Sequence, residues 1–141
     1  MQKILVPIDF SNGMEKIIQK SMQMAKAFSG SIYLVHIEQP IRDISGRDHG
    51  DPVDEMTHDY PHETAKLNAL AKRIRNDGIE THAIFIKGVP SLSILEVEQK
   101  ISAELIVMGT HGHGVVTGIL LGGVSQAIIK KSACPVLLIP I

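Results

Sequence analysis

Two short stretches of this chain carry residue types able to act on a charged small molecule. The first closes the run Ile4-Leu5-Val6-Pro7-Ile8 with a carboxylate, Asp9. The second reads Gly109-Thr110-His111-Gly112-His113-Gly114, then Val115 to Leu121, then Gly122-Gly123-Val124-Ser125. Half of the chain's twelve glycines fall in that segment. Glycine lets backbone amides approach an anion without a side chain between them, and a following helix start presents N–H groups with partial positive charge. The segment suits a phosphate.

Other phosphate signatures do not fit. Gly122 is not followed by a Lys-Ser or Lys-Thr pair, so this is not a Walker A loop. Gly112-x-Gly114 is followed by Gly118 rather than a glycine at 117, which departs from a dinucleotide fingerprint. Each candidate also has a plainer reading. Asp9 can cap the first helix, Ser125 can bond its own backbone, and His111 and His113 can be solvated loop residues. His58 and His62 are four apart near several carboxylates but lack the HExxH arrangement, so a solvated loop is expected there. His36 reads as a satisfied core histidine. Cys134 reads as an inert buried thiol, with no activating Lys or His motif beside it. Met14, Met22, Met24 and Met56 read as packing residues. Catalysis lacks support: there is no Gly-x-Ser-x-Gly elbow, no carboxylate pair flanking the glycines and no lysine poised for phosphoryl transfer.

The elements that must position these residues follow from periodicity. Apolar runs at 4–8, 32–37, 81–86, 105–108 and 135–139 read as strands, and their unbroken Ile/Val/Leu character means cover on both faces. A first helix is expected after Ser11 and Asn12 as caps, burying Met14, Ile17, Ile18, Ser21, Ala25 and Phe28 and closed by Gly30. A second holds Pro61 in its first turn, buries Leu67, Leu70, Ala71 and Ile74, and ends at Gly78. A third opens at Pro90 and Ser91 and carries Leu92, Leu95 and Ile101. A fourth carries Val124, Ala127, Ile128 and Lys131. Residues 38–59 read as a long exposed loop. Alternating strands and helices with right-handed crossovers make an α/β fold, one doubly wound domain over residues 1–141. In such a sheet ligands sit beyond the carboxyl ends of the strands, where Asp9 and the glycine segment converge.

Composition excludes several alternatives. The chain has 141 residues, 44% hydrophobic and 21% charged, with a formal net charge of −1, so neither disorder nor broad binding to nucleic acid is expected. Aromatic residues make only 4% of the chain, which argues against a base-stacking surface. No membrane span or signal peptide is read, and the single cysteine excludes an intrachain disulfide; a cytoplasmic setting is expected.

Three segments together resemble the universal stress protein family. Ile4-Leu5-Val6-Pro7-Ile8-Asp9-Phe10-Ser11 looks like its opening, Gly109-x2-Gly112-x9-Gly122 matches its nucleotide-loop spacing, and Cys134-Pro135-Val136-Leu137-Leu138-Ile139 looks like its closing strand. The resemblance covers essentially the whole chain. It implies a five-stranded parallel sheet in the order 3-2-1-4-5 with four helices, and a homodimer paired through the last strand. It also implies an adenine nucleotide, ATP with Mg2+ or else AMP or ADP, held across the cleft between strands one and four. Carried over by position, Asp9 contacts the adenosine end, the backbone near Ile37 borders adenine, and Met108 and Gly109 line the ribose side. Gly112, Gly122, Gly123, Val124 and Ser125 hold phosphates through amides and the Ser125 hydroxyl.

Two positions depart from the family pattern. Gly123 stands where Ser or Thr follows the last glycine, and His113 stands where many members have Arg or Lys. No Lys or Arg occurs from Ile101 to Ile129. Phosphates would rely on amides, a helix end, a divalent ion and protonated His111 or His113, whose unperturbed pKa of about 6.5 leaves them mostly neutral at physiological pH. Modest affinity is expected. The resemblance implies a stress-response regulator or sensor with a protein partner. A nucleotide-free dimeric interaction module and a slow ATPase are the alternatives.

Overall fold

The computed structural model describes residues 2–39, 60–111 and 121–141. Five strands, β1 (Lys3–Pro7), β2 (Ser31–Glu38), β3 (Thr81–Lys87), β4 (Leu105–Gly109) and β5 (Val136–Ile139), alternate with α1 (Met14–Phe28), α2 (Tyr60–Asn76), α3 (Pro90–Ile101) and α4 (Gly123–Lys131). The sheet is parallel throughout, in the order β3-β2-β1-β4-β5. This is the expected doubly wound topology. The 38–59 loop reading, His58 and Met56 fall largely or wholly outside the described residues.

Two cores form because successive side chains of a strand point to opposite faces. Ile4, Val6, Ile32 and Leu34 meet Ile17, Ile18, Leu67, Leu70 and Ile74 of α1 and α2 on one face. Leu5, Val35, Ile106 and Met108 meet Ile94, Val97 and Ile128 of α3 and α4 on the other. Ile4, Leu5 and Val6 are completely buried, as their uninterrupted run required.

Several local expectations are corrected. Neither Ser11 nor Asn12 caps α1: Gly13 holds the cap position without a side-chain bond, and the Met14 N–H donates to the Ser11 carbonyl. Ser29, not Gly30, takes the left-handed turn that closes α1, at φ 52°. Gly30 is needed for space, since a Cβ there would stand 2.7 Å from the Gln2 carbonyl oxygen. Gly78 does end α2 with a positive φ of 87°. Phe28 is 44% exposed, and Leu92 is 55% exposed because α3 turns Ser93, Ile94, Val97 and Glu98 inward instead.

The amino ends of the strands form a closed edge. Glu98, 3% exposed, accepts hydrogen bonds at Oε1 from the Ala133 N–H (2.6 Å) and the Cys134 N–H (3.0 Å), fixing the entry to β5. Burial pushes the Cys134 thiol pKa up, consistent with an unreactive residue.

Candidate functional site

Strand order reverses between β1 and β4: β1 leads into α1 on one face, and β4 leads toward α4 on the other. A cleft of about 700 Å³ opens at the carboxyl ends of these strands. One wall comes from Pro7, Ile8 and Asp9 after β1 and from Val35 to Gln39 of β2 and its end. The opposite wall comes from Met108, Gly109, His111 and residues 121–126, with Ile17, Glu63, Pro90 and Ile94 contributed by helices. Asp9, Ile37, Met108, Gly109, Gly122, Gly123, Val124 and Ser125 therefore line one space, as the sequence reading required. Gly112 and His113 lie outside the described residues.

The individual roles divide more finely than the motif implied. Asp9 lines the cleft and accepts the Ser11 N–H at Oδ1 (3.0 Å) within the turn that precedes α1; it does not cap the helix, whose cap position is held by Gly13 without a side-chain bond. Ser125 is 3% exposed, and its hydroxyl donates to the carbonyls of Gly109 (2.9 Å) and Thr110 (3.2 Å). This corrects the expectation that the hydroxyl faces a phosphate: it ties α4 to the end of β4. The Gly122 N–H is likewise taken, by the Thr110 carbonyl at 2.8 Å. Among the described residues, the donors left over are the N–H groups of Gly123, Val124 and Ser125, the first turn of α4, which carries no side-chain cap.

The glycines also separate by cause. A Cβ on Gly109 would come within 2.2 Å of Ile141 Cδ1 and 3.2 Å of Ile17 Cδ1, so packing accounts for that glycine. Among the described residues, a Cβ on Gly123 would meet nothing within 4 Å, and one on Gly122 would make only ordinary contacts at 3.6 and 3.7 Å. Neither has a positive φ among the described backbone. Chain packing does not demand these two glycines.

Sequence reasoning missed the polar cluster at the β2 end. His36, Glu38 and Glu63 line the cleft, and the ring of His36 touches both carboxylates (Nε2 to Glu38 Oε2 3.1 Å, to Glu63 Oε2 3.9 Å). The i, i+2 spacing of His36 and Glu38 on a strand was the available signal, since it puts both on one face. Glu63 had none. With Asp9 the described residues of the cleft include three carboxylates, and no lysine or arginine is among the described lining residues. His111 lines it too, with Nδ1 3.1 Å from Thr110 Oγ1. Among the described residues no group of three ligating side chains is placed to hold a metal ion, and no helix is long and apolar enough to cross a membrane.

An open parallel sheet with a cleft where strand order reverses defines the class: a doubly wound α/β protein, an architecture whose ligand sites generally lie at the carboxyl ends of the strands. The chain belongs to the universal stress protein family, whose model matches residues 1–140. A universal stress protein of Methanocaldococcus jannaschii is 29% identical over 140 residues, covering 98% of this chain and 81% of the relative. The solved structure of a second protein from that organism, 26% identical, superposes with a TM-score of 0.80 over 99% of this chain and 96% of the other. Two more distant solved members share the fold. One, in complex with cAMP, is 21% identical with a TM-score of 0.72 over 99% and 96% of the two chains. The other, from Archaeoglobus fulgidus in complex with dAMP, is 20% identical with a TM-score of 0.68 over 98% and 97%.

Proposed function

We propose that this chain, a single domain, binds an adenine nucleotide in the cleft between β1 and β4. In this reading it acts in the cytoplasm as a dimeric regulator or sensor in the stress response. The observation that carries the reading is the open space at Gly122 and Gly123 beside the uncapped first turn of α4. A phosphate placed there meets the N–H groups of Gly123, Val124 and Ser125 and the positive end of the helix. Asp9, across the same cleft, offers an acceptor to ribose hydroxyls, and the backbone at Ile37 borders the base. The cAMP and dAMP complexes of distant members support the choice of adenine.

Charge orders the nucleotides. Three carboxylates, with no lysine or arginine among the described lining residues, oppose a bare triphosphate. ATP therefore binds with Mg2+, the ion carried by the phosphates rather than by a protein cage, while AMP and ADP compete without it. Pairing of two copies through β5 is supported by its place at the sheet edge, with Val136, Leu137 and Leu138 only partly buried. Nucleotide held beside the 110–121 segment would alter the surface offered to a protein partner.

Two measurements test the reading. Mass spectrometry of small molecules released from the denatured protein is expected to find an adenine nucleotide. Calorimetry is expected to give micromolar to millimolar binding of AMP, ADP and Mg2+–ATP. Absence of both signals at millimolar nucleotide would leave a nucleotide-free interaction module in its place.

A further inference from the structure

Among the described residues three non-glycines have a positive φ: Phe10 at 59°, Ser29 at 52° and Ser102 at 55°. Ser29 and Ser102 close α1 and α3, where a single left-handed residue is a common ending. Phe10 closes no helix. It stands between β1 and α1, carries a bulky ring and directly follows Asp9. Its Cβ opposes that conformation, and left uncompensated the cost amounts to about a tenfold shift in population away from the turn.

The surroundings offset that cost. Phe10 is partly buried against the core beneath α1 and α2, and its ring centroid lies 5.0 Å from that of His36. The Lys66 ammonium of α2 sits 5.4 Å from the Phe10 ring centroid, within cation–π range. The chain is fixed on both sides of the turn. Before it, the Ile8 N–H donates to the Val35 carbonyl (2.8 Å), and the Ile8 carbonyl oxygen lies 2.6 Å from His36 Nδ1. After it, the Ser11 carbonyl accepts the Met14 N–H (3.1 Å).

The conformation of Phe10 reaches Asp9 through one bond. Asp9 Oδ1 accepts the N–H of Ser11, two residues on, at 3.0 Å. A carboxylate that does this replaces the first carbonyl of a β-turn, with Phe10 in the third position. A positive φ there is the mark of the type II form. A negative φ at Phe10 turns the Ser11 N–H away from Oδ1 unless the Asp9–Phe10 peptide flips with it. Either way the carboxylate loses its present setting on the cleft wall.

We propose that Phe10 is the positioning residue for Asp9. Ring contacts with His36 and Lys66 hold a left-handed backbone, and that backbone aims the Ser11 N–H at Oδ1. The carboxylate is thereby set before a ligand arrives. The effect on nucleotide rests on the nucleotide reading of the cleft; the setting of Asp9 does not.

The test compares Phe10→Ala with Phe10→Gly. Both lose the ring, but only alanine keeps the Cβ that resists a positive φ. In nucleotide-free protein followed by NMR, the Ser11 amide and the Asp9 carboxyl carbon are expected to shift strongly in Phe10→Ala and little in Phe10→Gly. By calorimetry, AMP affinity is expected to fall about tenfold in Phe10→Ala and to stay within about threefold of the unaltered chain in Phe10→Gly, because the fraction of molecules holding the turn scales the apparent Kd. A ring that serves packing alone predicts equal loss in both variants, or the greater loss with glycine. That result, or Asp9 and Ser11 signals unmoved in Phe10→Ala, would overturn the proposal. Should Phe10→Ala fail to fold while Phe10→Gly folds, stability follows the expected order and upholds it. Should neither fold, Lys66→Met, which removes only an exposed ammonium, is expected to speed hydrogen exchange of the Ser11 amide about threefold. An unchanged rate contradicts the proposal. No AMP binding by any of these proteins, with the NMR order intact, would uphold the positioning and overturn only the nucleotide reading.

Discussion

The two edges of the sheet treat space and polar groups in opposite ways. At the amino edge, Gly30 is glycine because the Gln2 carbonyl stands 2.7 Å from where a Cβ would be, and Glu98 is surrounded by donors of its own chain. At the carboxyl edge, Gly123 faces nothing within 4 Å among the described residues, and the first turn of α4 has no side-chain cap. One edge is finished by the chain itself; at the other, the described residues leave space and uncapped amides, which is where the nucleotide is proposed to bind. A glycine-rich segment therefore says little until the cause of each glycine is known. Gly109 belongs in kind with Gly30, because Ile141 fills its space, although it sits at the cleft.

Substitutions at the closed edge should cost stability and leave binding intact in the folded fraction. The largest effect is expected for Glu98→Ala, which strands the Ala133 and Cys134 N–H groups: about 2–4 kcal/mol lost in urea unfolding, partly restored in Glu98→Gln. Gly30→Ala should follow at about 1–3 kcal/mol, since backbone rather than a flexible side chain blocks the new methyl. At the open edge the sign reverses. Gly123→Ala should leave stability unchanged or raise it by about 0.4–1 kcal/mol. Gly123→Val should weaken AMP binding about tenfold by calorimetry. A Gly123→Ala protein that unfolds as readily as Gly30→Ala would erase the contrast between the edges.

The smallest effect concerns Cys134 at the closed edge. Burial raises its thiol pKa, so the folded state holds the proton more tightly than the unfolded chain. That contribution is fully present below the unfolded thiol's pKa and is lost as pH rises through the higher folded value. Alkylation by iodoacetamide at about pH 8.5 should be slower in the native protein than in urea. Equal rates would place the thiol outside the packed edge.

Strand and helix order was legible because it rests on side chains that leave water. Ile4 to Ile8 or Leu67 to Ile74 have one stable destination each. Helix rotation was less legible: Leu92 and Ile94 are equally apolar, and only packing against Val97 and Ile128 turns Ile94 inward. Buried polar residues were hardest. His36 reads only as a satisfied core histidine, and Glu98 carries no signal, until partners distant in sequence such as Ile8 and Ala133 are brought beside them. For the site, the motif located the cleft but not the working atoms. Ser125 spends its hydroxyl on Gly109 and Thr110, and Gly122 spends its amide on Thr110, so among the described residues the three amides that follow Gly122 remain.

Those three amides offer the most direct test of the account. Backbone N–H resonances of Gly123, Val124 and Ser125 should shift strongly as AMP or ADP is added and far less with adenosine, which lacks the phosphate. Nucleotide binding that leaves all three unmoved, or moves them equally with adenosine, would contradict the assignment of the first turn of α4 as the phosphate site.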